Sequence, residues 1–235
     1  MFAGPNGSGK TTVKIGLGKS PQWFGIYINP DELEKSIRET GVLPLEPFGL
    51  TTTTEEIRGF FSMSPFLQAY GLHESTRAIE FRSGEIIFGG VEINSYYASV
   101  LSDFLRRKAL EASKSFSFET VMSSADKVEL LRECRRRGFR AYLYFVATED
   151  PSINIQRVKS RVAAGGHDVP EDKIVSRYYR SLGLLAEAIR NTDRTYLFDT
   201  SDEDSWYFAE VTNGSRIELK SDEIPNWFKP IWNPK

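Results

Sequence analysis

The sequence predicts an α/β fold: a parallel β-sheet with helices on both faces, to which a small insert and a C-terminal hairpin are added. Three observations lead there. Short apolar runs of strand length alternate with longer segments of helical period, in the order strand, helix, strand, helix, insert, helix, strand, helix, strand, two helices, strand. The run Ala141–Ala147 is apolar throughout, as a central strand covered on both faces requires. A glycine-rich turn, Gly4-Pro5-Asn6-Gly7-Ser8-Gly9-Lys10-Thr11-Thr12, stands between the first strand and the first helix. With 235 residues, 40% apolar and 13% aromatic, the chain is read as one domain over 1–235, with an insert at 42–97 and a hairpin and aromatic tail at 201–235.

Composition removes several classes of function. A net charge of −2 gives no overall field to draw nucleic acid or an anionic membrane. The single cysteine, Cys134, excludes an internal disulfide framework, and two histidines, His73 and His167, argue against a histidine-based metal centre. No apolar run approaches the ~20 residues that span a bilayer. No basic-then-apolar leader is present, which makes the cytoplasm the expected location.

The glycine-rich turn fits the pattern G-x-x-x-x-G-K-[ST], with Gly4, Gly9, Lys10 and Thr11 in the defined slots. Glycines let the backbone turn tightly and approach a phosphate chain closely, and successive N–H groups then form a concave anion nest. The expected nucleotide-binding set is Gly4, Asn6, Gly7, Ser8, Gly9, Lys10, Thr11 and Thr12. Lys10 reaches the β- and γ-phosphates, and the Thr11 hydroxyl ligates Mg²⁺. The competing reading is a glycine-rich turn with a chance lysine; three glycines and the Thr-Thr pair weigh against it. Only Met1, Phe2 and Ala3 precede the turn, so the first strand is read as clipped.

The remaining elements follow in order. Thr11–Leu17 is a short helix ending near Gly16 or Gly18, and Trp23–Ile28 is a buried strand. Asn29 is an N-cap, Pro30 the first helical residue, and Glu32 closes a capping box on a helix that runs to Thr40 and stops at Gly41. Asp31 therefore sits in the first turn of a helix that follows a strand. It is either an acid placed for the helix dipole or a residue at the ligand-binding edge of the sheet. Leu43–Gly49 is loop; helical pieces are expected from Glu55 to Phe61 and from Pro65 to Tyr70, and a hairpin about Ser83-Gly84. Asn94 or Ser95 caps an amphipathic helix through Ala109. Ser115–Phe118 is a strand with Glu119 and Thr120 at its carboxyl end. Ser124 caps a helix ending in Arg135-Arg136-Arg137, a cluster that suits the helix dipole better than RNA in an acidic chain. After the central strand, Asp150-Pro151 opens a helix with Arg157 and Arg161 four residues apart, and Asp168 to Glu171 opens another that runs to Asn191. Thr195–Phe198 is the last core strand, a hairpin turns at Asn213-Gly214, and Trp227, Phe228 and Trp232 form a tail that packs back on the body.

A phosphate loop on this core makes it P-loop kinase-like or GTPase-like. The Asn-Lys-x-Asp run of GTPases, the apolar strand ending Asp-Glu of transport and motor ATPases, and a Ser-Gly-Gly signature are all missing. Small-molecule phosphoryl transfer remains. It needs a phosphate cradle, a metal, a carboxylate for the acceptor proton, and arginines for the transferring group. Lys10, Thr11, Asp31, Glu119, Arg157 and Arg161 supply those types, and Asp31 and Glu119 are expected to converge at the strand edge where Lys10 sits.

The segments Lys10-Thr11-Thr12, Tyr27–Glu32, Ser117–Thr120, Arg157-Val158 with Arg161-Val162, Gly165–Pro170 and Arg177–Ser181 together resemble the zeta toxin family, in its stand-alone bacterial branch. The resemblance covers about Met1–Leu33 and Phe104–Thr200. It implies an ATP- and Mg²⁺-dependent kinase acting on a sugar hydroxyl, with UDP-N-acetylglucosamine as the type of acceptor. Asp31 then matches the general base, Glu119 with Thr120 the substrate-binding pair, and Arg161 a phosphate-contacting arginine with Arg157 one turn before it. Two departures stand out. Val121 replaces a threonine, and His167 stands near a second phosphate arginine, whose charge is then missing or supplied by Arg177 or Arg180. His167 itself is either a phosphate ligand or a loop histidine bonded to the next helix. A second reading is a nucleotide-binding regulatory or interaction module whose Val42–Tyr97 segment docks an antitoxin-like partner. A third, phosphorylation of nucleic-acid ends, is disfavoured by the net charge.

Overall fold

A computed structural model describes residues 1–166, 168–202 and 204–231; His167 and Trp232, both named above, lie outside them. The chain begins with strand β1 (Phe2–Ala3), helix α1 (Lys10–Gly16), β2 (Ile26–Ile28), α2 (Pro30–Thr40) and β3 (Val42–Pro44). Next come α3 (Thr54–Ser62), α4 (Pro65–Ala69), β4 (Glu80–Arg82), β5 (Glu85–Ile87), α5 (Ser95–Glu111), β6 (Phe116–Thr120) and α6 (Asp126–Arg136). The rest is β7 (Tyr142–Ala147), α7 (Pro151–Ala163), α8 (Glu171–Arg190), β8 (Arg194–Asp199), β9 (Trp206–Thr212) and β10 (Arg216–Leu219). The fold is α/β with a mostly parallel sheet, as expected. The backbone divides into two compact units, Met1–Lys19 with Glu119–Lys235, and Ser20–Phe118.

In the first unit β1 lies between β6 and β7, parallel to both, with Phe2 opposite Glu119 and Tyr144, and Ala3 opposite Thr120 and Phe145. Strand β8 pairs parallel to β7 from Tyr142↔Arg194 to Ala147↔Asp199. Leu143 to Ala147 are all buried, which explains the unbroken apolar run of a strand flanked on both sides. Phe2, Tyr144 and Tyr196 stack across three neighbouring strands at centroid distances of 4.8 and 4.7 Å. Strand β9 adds antiparallel to β8 and β10 to β9. Their turn has Asn213 at φ 52° and Gly214 at φ 71°, the left-handed pair that lets a two-residue loop follow the strand twist. The tail packs back: Trp227 and Phe228 are buried against Phe208, and the Trp227 indole N–H donates to Asp199 Oδ2 at 2.6 Å.

In the second unit β2 pairs parallel with the first three residues of β6, and α2 packs on α5. The segment expected as an insert, 42–97, lies inside this unit. It holds an antiparallel sheet in the order β3-β5-β4, with Ile57, Phe61, Leu67, Ile86 and Phe88 fully buried. Strand β3 falls where a loop was expected, because Leu43-Pro44 has no period of its own; pairing with Glu85–Ile87 makes it a strand.

Some expected boundaries move. Strand β2 starts at Ile26 rather than Trp23, since Pro21–Phe24 forms a 3₁₀ turn and Gly25 has φ 62°, where a Cβ would stand 2.4 Å from the Ser115 carbonyl. Asn29 caps α2 by accepting from the Asp31 N–H at 3.0 Å, and its own amide donates to Glu32 at 3.2 Å, a side-chain version of the capping box. Ser124 and Asp168 are not caps. The Ser124 hydroxyl is taken by the Asp126 carboxylate, and α8 starts after Pro170, whose fixed φ of −53° sets the first turn. The Arg135–Arg137 cluster is used locally: Arg136 and Arg137 pair with Glu133, and Arg135 donates to the Arg190 carbonyl at 3.1 Å.

Two outcomes follow from this packing. Trp227→Ala removes a buried ring and should cost about 3–5 kcal/mol in urea unfolding; Trp227→Phe should recover part of that while leaving Asp199 without its indole donor. Glu56 on α3 is pushed up by burial but pulled down more strongly by the Lys108 ammonium at 2.8 Å and the Thr52 hydroxyl at 2.7 Å, so its carboxyl titrates below the ordinary 4.5. With the folded value depressed, its stabilisation is complete above pH 4.5 and lost as pH falls through the lower folded value. Glu56→Gln should flatten the acid limb of stability measured between about pH 3 and 6.

Candidate phosphate-binding site

The parallel strands β1, β6, β7 and β8 end at one edge, where α/β sheets bind ligands. The loop between β1 and α1 rises from that edge. The Gly4 N–H donates to the Thr120 carbonyl at 3.2 Å, and a Cβ on Gly4 (φ 148°) would lie 1.9 Å from the Val146 carbonyl oxygen. A Cβ on Gly7 (φ 73°) would lie 2.6 Å from the Asn154 carbonyl. At Gly9 a Cβ would meet nothing closer than 3.8 Å, so the demand there is conformational, φ 78°. The loop is thus drawn against the end of β7 and the first turns of α7 by contacts that exclude side chains.

Two side chains hold the loop from behind. Asn154 Nδ2 donates to the Asn6 carbonyl at 2.7 Å, and its Oδ1 accepts from the Thr148 hydroxyl at 2.5 Å. The Thr200 hydroxyl lies 2.8 Å from the Ser8 carbonyl. Asn154 and Thr200 are both buried. In a trans peptide the N–H points opposite to the preceding carbonyl, and no peptide here is cis. Tying back the carbonyls of Asn6 and Ser8 therefore turns the N–H groups of Gly7 and Gly9 outward, the disposition that cradles an anion. Arg177 reaches Asn6 Oδ1 at 3.4 Å, and the buried Ser8 hydroxyl makes no hydrogen bond among the described residues.

Lys10 Nζ donates to the carbonyls of Gly4 and Pro5, both at 2.9 Å, so its ammonium lies over the start of the loop. Thr11 and Thr12 are exposed in the first turn of α1. The Thr11 hydroxyl donates to Glu119 Oε2 at 2.9 Å, and Lys14 Nζ stands 3.8 Å from Glu119 Oε1. The register that sets Phe2 opposite Glu119 brings that carboxylate to the loop. Thr120 is occupied differently: its hydroxyl accepts the Met122 N–H at 3.0 Å and shapes a turn in which Met122 has φ 53°.

The two arginines of α7 have unlike settings. Arg157 reaches the end of β8, donating to Thr200 Oγ1 at 3.4 Å and to the carbonyls of Ser201 and Asp202 at 3.4 and 3.1 Å. Arg161 is exposed in the last turn of the helix, and a Cβ on Gly166 would press within 2.6 Å of its Cγ. Asp31 belongs to the second unit, in the first turn of α2, with an exposed carboxylate. The structure therefore gathers the loop, Lys10, Thr11, Glu119 and Arg157 in one unit, and holds Asp31 in the other.

Asn154, Thr200 and Lys14 were not foreseen as site residues. Asn154 precedes Arg157 by one helical turn and Thr200 follows the last parallel strand, so position was a weak signal; nothing local marks either as a support for the loop. The residues fit nucleotide phosphates: the cradle has room only for backbone at Gly4 and Gly7, and donors line it. Among the described residues no three His, Cys, Asp or Glu gather as a metal site. A Mg²⁺ ion carried by one hydroxyl and substrate phosphates needs no such group. Gly4→Ala should destabilise the chain in urea unfolding by clearly more than Gly9→Ala, for which only left-handed strain of about 1–2 kcal/mol is expected.

A Haemophilus influenzae protein, itself described as uncharacterized, is 29% identical over 70 residues, 30% of this chain and 50% of that protein. Among solved structures, the AvrRxo1-ORF1:AvrRxo1-ORF2 complex with sulphate ions aligns with a TM-score of 0.58 at 13% identity, over 98% of this chain and 62% of the matched chain. The same complex with ATP aligns at 0.54 and 14%, over 93% and 60%. At these identities the likeness is one of fold, and the chain spans between half and about three fifths of the proteins it matches. The Zeta toxin family model matches residues 93–211, which is just over half of the sequence and contains Glu119, Arg157 and Arg161, and the chain belongs to the zeta toxin family.

Proposed function

We propose that this chain is an ATP- and Mg²⁺-dependent kinase that transfers the γ-phosphoryl group to a hydroxyl of a small molecule, a nucleotide sugar of the UDP-N-acetylglucosamine type. The observation that carries the reading is the loop whose Asn6 and Ser8 carbonyls are tied back by Asn154 and Thr200, with Lys10 over it and the Thr11 hydroxyl beside it. Family membership and a fold shared with a complex solved with ATP support it.

In this reading the outward N–H groups of Gly7 and Gly9 bind the phosphate chain, and Lys10 exchanges its two carbonyl partners for β- and γ-phosphate oxygens. Thr11 would hold Mg²⁺, which when bound neutralises charge on the phosphates. Asp31 accepts the proton of the acceptor hydroxyl as its oxygen bonds to the γ-phosphorus and the bond to the β-phosphate oxygen breaks. Arg161 offers its guanidinium to the transferring group; Arg157 braces the Thr200–Asp202 turn and contributes positive charge. Glu119, with Thr120, contacts the acceptor. ATP as substrate puts the activity in the cytoplasm, and no helix among the described residues is long and apolar enough to cross a membrane.

A second reading, a nucleotide-binding module held by an antitoxin-like partner, is favoured by one observation: the aligned structures are two-protein complexes. The exposed rings Phe66 and Tyr70, each tilted against Tyr96 on the second unit, are the surface such a partner would cover.

The deciding experiment incubates the protein with ATP and Mg²⁺ against nucleotide sugars, nucleosides and short oligonucleotides, and reads product mass. A gain of one phosphate on a nucleotide sugar is expected, and Asp31→Asn should lower the rate by at least about 100-fold while ATP still binds. Full turnover by Asp31→Asn would remove the assigned base. ATP binding with no phosphorylated product would favour the partner-bound module.

A further inference from the structure

We propose that Lys14 and Glu119 form a positioning pair for the metal ligand Thr11, a task for Glu119 in addition to any contact with the acceptor. The inference rests on the phosphate-site reading above and deepens it. A threonine hydroxyl carries one hydrogen and two lone pairs, and it rotates to suit its surroundings. A cation needs a lone pair. In this structure the hydrogen is committed: Thr11 Oγ1 donates to Glu119 Oε2 at 2.9 Å. With the hydrogen directed at the carboxylate, the lone pairs face away from it, and the rotor no longer has to be ordered when the ion arrives.

Glu119 must itself be held for this to work. Two things hold it. Its backbone is fixed by the parallel register opposite Phe2. Its other oxygen, Oε1, faces Lys14 Nζ at 3.8 Å, and both side chains are largely shielded, 16% and 11% exposed. Such a pair is screened less than a surface one. Lys14 is three residues after Thr11 and four after Lys10, so all three project from neighbouring positions of α1. One short helix thus carries the cation for the phosphates, the ligand for the metal, and the cation that steadies the carboxylate behind that ligand. Partners behind a metal ligand commonly govern affinity by about 10–100-fold when removed.

The test uses Mn²⁺ as a spectroscopic substitute for Mg²⁺ and β,γ-methylene-ATP, with no acceptor present, so that acceptor binding does not enter. Free Mn²⁺ is read by electron paramagnetic resonance, and nucleotide affinity in EDTA is measured separately by calorimetry. Lys14→Met and Glu119→Gln should each weaken Mn²⁺ binding to the nucleotide complex by about 10–100-fold, with metal-free nucleotide affinity changed by less than about threefold. Lys14→Arg should restore most of the loss. The double variant should be little worse than either single one, because both break the same chain of contacts. If Lys14→Met binds nucleotide and keeps wild-type Mn²⁺ affinity, the pair is an ordinary ion pair and the inference falls, while the phosphate-site reading stands. An equal loss of nucleotide affinity with and without metal would likewise overturn it, since Lys14 would then act on the loop. If the wild-type chain binds no nucleotide in either condition, the reading of the site falls and this inference with it. Should Lys14→Met fail to fold, Glu119→Gln and Lys14→Arg decide the matter on the same readouts.

Discussion

The approach of Gly4 to the carbonyl of Val146 is the constraint on which the site depends. A Cβ at that position would stand 1.9 Å from the oxygen, so only glycine lets the chain leave β1 and turn across the end of β7. That turn sets the path of the next six residues. Asn6 then meets Asn154, Ser8 meets Thr200, and the intervening N–H groups face outward. The supports come from α7 and from the end of β8, far along the chain. A two-residue strand can anchor this arrangement because it is paired on both sides, by β6 and by β7. The energetic cost of tying back two carbonyls is small, since each finds a donor at normal hydrogen-bond distance in a buried setting.

The same sheet carries the other residues of interest. Pairing of Phe2 with Glu119 brings a carboxylate to the first turn of α1, and pairing of β7 with β8 brings Thr200 under the loop. The family match adds a separate line of support. Residues 93–211 contain Glu119, Arg157 and Arg161 but neither the phosphate loop nor Asp31. The loop is identified by its own pattern and geometry, and the arginine-bearing half by its family. The two lie in different parts of the sequence and share no residues. The second unit is built by different means, with its own three-stranded sheet and a core of Ile57, Phe61, Leu67 and Phe88. In that unit the exposed rings of Phe66 and Tyr70 cluster with the half-buried Tyr96.

Much of this was legible in residue pattern. The apolar run at β7, the Asn29-Pro30 helix start, the Asn213-Gly214 turn and the glycine-rich turn between β1 and α1 each depend on neighbours within a few residues, where local propensity decides. What failed locally failed for tertiary reasons. Trp23-Phe24 looks like strand but is a 3₁₀ turn, because Gly25 must pass the Ser115 carbonyl. Leu43-Pro44 looks like loop but is strand, because β5 pairs with it. Ser124 and Asp168 have the chemistry of caps, yet Asp126 takes one hydroxyl and Pro170 starts the other helix. Arg157 and Arg161 share a helical spacing, but what Arg157 touches, the turn after β8, is set by the packing of α7 on the sheet.

By itself the sequence determined the fold class and the glycine-rich turn between β1 and α1, because glycine conformations, capping and apolar period act over short range. Only the tertiary structure decided what stands behind the loop and beside the Thr11 hydroxyl. Asn154, Thr200 and Lys14 acquire their places through strand register and helix packing, and contacts between residues more than a hundred positions apart leave no periodic trace in the chain.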